Sequence, residues 1–314
     1  MTVDGGTYEA CPTRRRRTKA EIARIRQAIH DVVAEDPPMT VRQVFYQLVV
    51  AGAVEKTEVA YQGTVIRLLT EMRLDGGIPY EWIIDESRRR RITQTHDSVA
   101  DALEHTARFY RRSALQQAGD YIEIWCEKDA LAGLIWQVTS RYDVPLMISR
   151  GMPSLTFLHG TAQEIWKASE AGKSTFIYQF GDHDPSGVLI PQTIERRLGE
   201  MCEQLGCDPP LIERVALTEE MIATYNLPTR PTKREGNRHA AGFAGNSVEL
   251  DALPPRVLRA LVQEVIKDHI SEHELKVLRA AEEAEREQLR MFARGAVSPP
   301  SREEARDQEP RGSA

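Results

Sequence analysis

Five residues, Phe176, Ile177, Tyr178, Gln179 and Phe180, form an apolar run that stops at Gly181 and passes through Asp182-His183-Asp184-Pro185-Ser186-Gly187 into a helical pattern. Aromatic and β-branched residues in a short run predict a buried strand. A proline just after an Asp predicts a helix start. The stretch is therefore one strand–turn–helix unit with two carboxylates, Asp182 and Asp184, at the carboxyl end of its strand. In open α/β sheets that edge is where ligands bind. Carboxylates two residues apart suit a hard divalent cation such as Mg2+.

A second unit of the same kind lies upstream. Residues 121–126 read as a strand, Glu127 follows it, and a helix is expected over 130–141. The pattern continues with strands at 145–149, 175–180 and 211–217 and helices at 154–170 and 188–205. Strands alternating with helices predict a mainly parallel four-stranded sheet in an α/β fold. Such a sheet would bring Glu127 beside Asp182 and Asp184. Three carboxylates in one place repel one another and raise one another's pKa, which a bound cation would relieve.

The N-terminal part reads differently. Ile22, Ile25, Ile29, Val32 and Val33 mark one amphipathic helix that Asp36-Pro37-Pro38 stops, and Thr40 caps a second over 41–50. A third is expected over 58–73, followed by a strand over 78–85. Three helices and then a β-ribbon is the order of a winged helix, whose third helix enters DNA. The chain carries a net charge of −6, yet residues 14–91 hold 15 Lys and Arg against 11 Asp and Glu. A basic module on an acidic chain is suited to gripping phosphates. Its candidate contacts are Arg67 and Arg73 on the third helix, Arg88, Arg89, Arg90 and Arg91 after the wing, and Arg150 in the later α/β part. The run Arg14 to Arg17, taken alone, reads rather as a solvated, disordered lead-in.

Several classes are excluded or disfavoured. The four cysteines, Cys11, Cys126, Cys202 and Cys207, form no Cys-x-x-Cys pair, so neither a zinc site nor a disulfide framework is indicated. No stretch approaches the roughly 20 apolar residues of a membrane span, and the N-terminus lacks the apolar core of a signal peptide. No Gly-x-x-x-x-Gly-Lys-Ser/Thr loop is present. A cytoplasmic, nucleoid-associated protein is expected.

The glutamate after one strand and Asp-x-Asp-Pro-x-Gly after a later one resemble the Toprim domain of topoisomerases, primases and related nucleases. On the second helix, Arg42-Gln43-Val44-Phe45-Tyr46 is similar to the Arg-x-x-Phe/Tyr-Tyr motif of the topoisomerase VI A subunit and the meiotic double-strand-break transesterase, most of all to the stand-alone Mini-A relatives. On pattern alone Phe45 and Tyr46 would be core residues. The resemblance implies instead that Tyr46 attacks a DNA phosphodiester to leave a 5'-phosphotyrosyl link, with Arg42 and Glu127 as further catalytic residues. It also implies that Glu127, Asp182 and Asp184 hold Mg2+, and that a homodimer cuts both strands, Tyr46 of one protomer meeting the metal site of the other. A separate ATPase subunit is a possible partner. The loop Ser149-Arg150-Gly151-Met152-Pro153-Ser154 sits where the family has a glycine loop, departing from it at Met152 and Ser154. Glu249-Leu250-Asp251-Ala252-Leu253 resembles the family's Glu-x-Asp/Glu-Ala-Leu element. Glu249 and Asp251 read either as an outer acidic shell or as partners of a helix end and of the basic loop over 228–238.

The expected organisation is a basic flexible tail (1–17), a winged-helix, CAP-like DNA-binding and cleavage domain (18–93), a helical linker (94–119), a Toprim domain (120–270), a C-terminal helix (271–294) and a disordered tail (295–314). Two other functions fit the same residues. One is a Toprim nuclease that activates water, with Tyr46 structural. The other is a non-catalytic DNA-binding subunit of a mobile-element or defence complex.

Overall fold

The computed structural model describes residues 17–84, 93–232, 243 and 245–296. It divides into two compact units, Met1–Ile84 and Asp85–Ala314.

In the first unit, α1 (Lys19–Glu35) and α2 (Val41–Val50) each begin with a capping box, Thr18 with Glu21 and Thr40 with Gln43. These reciprocal bonds satisfy backbone N–H groups that a helix start leaves orphaned. Between them lies the two-residue strand β1 (Met39–Thr40). The expected third helix is present but not uniform. It starts as α3 (Glu58–Ala60), widens to a π-helical turn over Tyr61–Ile66 that contains Gly63, and resumes as α4 (Arg67–Leu74). Ile29, Val33, Val44, Leu48, Val65 and Leu68 are wholly buried and form its core.

The strand expected over 78–85 is mostly not a strand. Pro79 has no N–H for a ladder, and its carbonyl instead accepts from Trp82 in a 3-10 turn over Tyr80–Trp82. Among the described residues of this stretch, only β2 (Ile83–Ile84) forms a strand, pairing in parallel with β1. The rest of the expected ribbon, with Arg88, Arg89, Arg90 and Arg91, lies outside the described residues, as do Arg14 to Arg16 of the basic tail, Lys233, Arg234 and Arg238 of the basic loop, and residues 297–314 of the tail expected to be disordered.

The second unit opens with α5 (Val99–Phe109) and α6 (Ala114–Gln117). This stretch, expected as a linker, packs on the C-terminal helix. Tyr110 donates to Glu285 at 2.9 Å, and the N–H of Arg112 donates to buried Glu282 at 3.0 Å. Then come β3 (Asp120–Cys126), α7 (Ala132–Tyr142), β4 (Leu146–Ile148), α8 (Leu155–Glu170), β5 (Ser174–Phe180), α9 (Pro185–Leu205), β6 (Leu211–Ala216) and α10 (Glu219–Thr224). Two helices close the unit, α11 (Pro255–Lys267) and α12 (Glu272–Gly295).

The sheet is four-stranded and parallel throughout, in the order β4-β3-β5-β6. Helices α8 and α9 cover one face around Trp125, Leu158, Ile165, Ile177, Ile194 and Leu198. Helix α7 packs with α11. A hydrogen-bonded chain ties the end of α11 to the strands: His269 bonds Tyr178 at 2.6 Å and Asp120 at 2.8 Å. Because the chain leaves β3 first for β4 on one side and later for β5 on the other, the strand order reverses between β3 and β5. Crevices at such reversals, beyond the carboxyl ends of the strands, collect ligands.

Candidate functional site

Glu127 and Asp182 flank that reversal. The backbone N–H of Glu127 continues the ladder to the carbonyl of Phe180 at 3.0 Å, so the two strand ends stay in register one step beyond the sheet. The N–H of Asp182 then donates to Glu127 Oε2 at 3.3 Å. Gly181 leaves room for these side chains: a Cβ would stand 2.9 Å from Glu127 Oε2 and 2.6 Å from Gln179 Nε2, so both would have to shift.

Asp184 begins α9. Its Oδ1 accepts from the N–H groups of Ser186 at 2.9 Å and Gly187 at 2.8 Å, and Pro185 occupies the first turn. This cap moves the helix start three residues ahead of the expected 188. Gly187 is obligatory, since a Cβ would lie 2.1 Å from the backbone carbonyl oxygen of Asp182.

Arg214, on β6, holds this turn from behind. It donates to the carbonyls of Asp182 at 2.7 Å, Leu217 at 3.3 Å and Gly181 at 3.4 Å, and also to that of Gly187. The Gly187 carbonyl would normally accept from the N–H four residues on, but that residue is Pro191, which has none. Arg214 supplies the missing donor.

On the other side of Asp182 lies a second polar layer. The N–H of Leu250 donates to Asp182 Oδ1 at 2.8 Å. Lys128 Nζ lies 3.5 Å from the same oxygen and 2.9 Å from Glu249 Oε2, and it hydrogen-bonds Asp251 Oδ2. Arg230 reaches Glu249 Oε1 at 3.3 Å. Glu249 and Asp251, which the sequence left between two readings, thus turn inward onto Lys128, and Glu249 also meets the basic loop.

The electrostatics follow from this packing. Burial, then the charges of Asp182 and Asp184, holds the Glu127 carboxyl above its ordinary pKa. Burial raises Asp182 likewise, against the pull of Lys128 and the Leu250 N–H. For Lys128 burial acts downward, but Asp251, Asp182 and Glu249 outweigh it and the ammonium is held above its usual value. Burial lowers Arg214, while Glu127, Asp182 and Asp184 act in the opposite direction. Burial pushes the Cys126 thiol up to about 12, so this cysteine is an inert core residue.

Among the described residues, no group of three or more His, Cys, Asp or Glu side chains is arranged to hold a metal ion by itself. Mg2+ commonly needs less, binding through one or two carboxylates and completing its shell with water and substrate phosphate. The all-oxygen pair Glu127 and Asp182, adjacent and raised in pKa, fits that mode.

The remaining sequence candidates are distributed as follows. Arg150 takes a positive φ of 50° in the loop after β4 and pairs with Asp129 at 2.9 Å. Ser154, a departure from the resembled loop, caps α8 through the N–H of Phe157. In the first unit, Arg42 and Tyr46 lie one turn apart on α2. Arg42 stands over the Tyr61 ring at 5.3 Å, and Lys56 over the Tyr46 ring at 5.4 Å. Tyr46 is 2 % exposed and packs against Phe45. Arg67 is exposed and pairs with Glu71 at 2.6 Å; Arg73 stacks over Tyr80 at 4.7 Å.

Lys128 and Arg214 were not singled out from the sequence. Lys128 had a local signal, a cation next to Glu127. Arg214 had none for this role, since its partners in the acidic turn, Gly181, Asp182 and Gly187, lie some 30 residues away. The chain matches no family model, and no curated protein is detectably similar to it in sequence.

Proposed function

We propose that this protein is a Mg2+-dependent DNA-cleaving transesterase, in which Tyr46 attacks a phosphodiester and remains joined to the 5' phosphate. The observation that carries the reading is the adjacency of Glu127 and Asp182 at the strand-order reversal, in a turn that Asp184 caps and Arg214 braces. Phosphodiester cleavage needs concentrated negative charge to receive a cation and a fixed turn to present it. Bound there, Mg2+ would offset charge on the scissile phosphate.

The chain's own residues supply the rest. The Tyr46 oxygen forms the new bond to phosphorus, the bond to the 3' oxygen breaks, and the proton lost by the phenol ends on the released 3'-hydroxyl. One ester replaces another, so the link can be reversed without an added energy source. Arg42, one turn before Tyr46, neutralises a non-bridging oxygen as charge builds. Arg67 and Arg73 anchor the DNA backbone, and a homodimer makes two such cuts.

One observation favours a second reading. Tyr46 is almost wholly buried, as a structural aromatic would be. In that reading the carboxylate site activates water and product is released unattached. Incubation with supercoiled plasmid and Mg2+, followed by denaturation and a search for protein-linked DNA, separates the two.

A further inference from the structure

Glu249 and Asp251 are separated by one residue, like Asp182 and Asp184, and their carboxylates converge on Asp182 through Lys128. Asp251 is wholly buried at the centre of this cluster, and its Oδ1 has no hydrogen-bond partner among the described residues. A buried carboxylate oxygen without a donor is costly unless a cation lies close. The ammonium of Lys128 faces all three carboxylates, and Arg230 adds a contact at the outer side of Glu249. Oxygen donors of this kind, mutually repulsive and partly removed from water, are the donors a hard divalent ion takes.

The structure assigns Lys128 the position of a second cation: its ammonium fills the space among Asp182, Glu249 and Asp251, so that the centre takes one divalent ion, at Glu127 and Asp182, instead of two. The inference rests on the metal reading proposed above and goes beyond it by fixing the stoichiometry. It makes Lys128 a positioning residue. By occupying one side of Asp182, it turns the other side of that carboxylate toward Glu127, and it prevents a second ion from binding in the absence of DNA.

Counting bound Mn2+ on the full-length protein without DNA, by the loss of the free-ion electron paramagnetic resonance signal, tests this. The expected result is one Mn2+ per protomer for the unaltered protein and two for Lys128→Met, the second disappearing in Lys128→Met combined with Asp251→Asn. Two ions on the unaltered protein, or one on folded Lys128→Met, would overturn the inference while leaving the metal reading intact. No bound ion on the unaltered protein would overturn both. Without Lys128 three carboxylates face one another; should the variant be unfolded without metal, recovery of its circular dichroism on adding Mn2+ supports the assignment, and no recovery at any concentration contradicts it.

Discussion

Pro191 and Arg214 are coupled through one carbonyl group. Pro191 cannot donate to the carbonyl of Gly187, and Arg214 donates to it in its place. The same guanidinium holds the carbonyl of Asp182 at 2.7 Å, so a proline inside a helix helps recruit the arginine that fixes the acidic turn.

Arg214→Met should therefore leave several buried carbonyls without a donor and destabilise the second unit by about 1–3 kcal/mol. Pro191→Ala restores the helical N–H, so the cost of Arg214→Met should be smaller in that background. A double-mutant cycle from urea unfolding measures this. Equal costs in the two backgrounds would show that the carbonyl does not couple them.

Metal-free stability should depend on pH with a definite sign. Glu127 and Asp182 have folded pKa values above their ordinary ones. The folded state then binds more protons than the unfolded state, so these groups lower stability as pH rises from the ordinary carboxyl range through their raised values. Melting temperature without divalent ions should fall across that window, less steeply in Glu127→Gln, and Mg2+ should restore it. A Glu127→Gln protein with the same profile would show that the buried Glu127 carboxyl does not carry this dependence. The same substitution should cut DNA cleavage at least about 100-fold, as loss of a charge-stabilising group does.

Much of this arrangement was legible in the residues. The strands ending at Cys126 and Phe180 were marked by apolar runs, and the cap at Thr40 by its side chain, because these are local effects. The inward turn of Glu249 and Asp251 was not, since it depends on Lys128 more than 120 residues away. The shortened strand before Ile83 was missed for a local reason, Pro79. The π-helical turn at Tyr61–Ile66 has no periodic signature that distinguishes it from an α-helix over so few residues.

If Arg67 contacts a phosphate, DNA affinity should fall with salt, and Arg67→Gln should reduce the log-log slope by about 0.9. Arg67 is exposed and, among the described residues, bonds to Gly63 and Glu71 on its own helix, so the substitution should leave the fold unchanged. An unaltered slope, measured by fluorescence anisotropy over a salt series, would remove Arg67 from the DNA contact.

The central claim is that Tyr46 becomes covalently joined to DNA. After incubation with supercoiled plasmid and Mg2+ and denaturation, the account predicts linear DNA carrying protein, with the link mapped to Tyr46 by mass spectrometry and absent from a folded Tyr46→Phe protein that still binds DNA. Cleavage by Tyr46→Phe at the unaltered rate, with 5' ends free of protein, would contradict it.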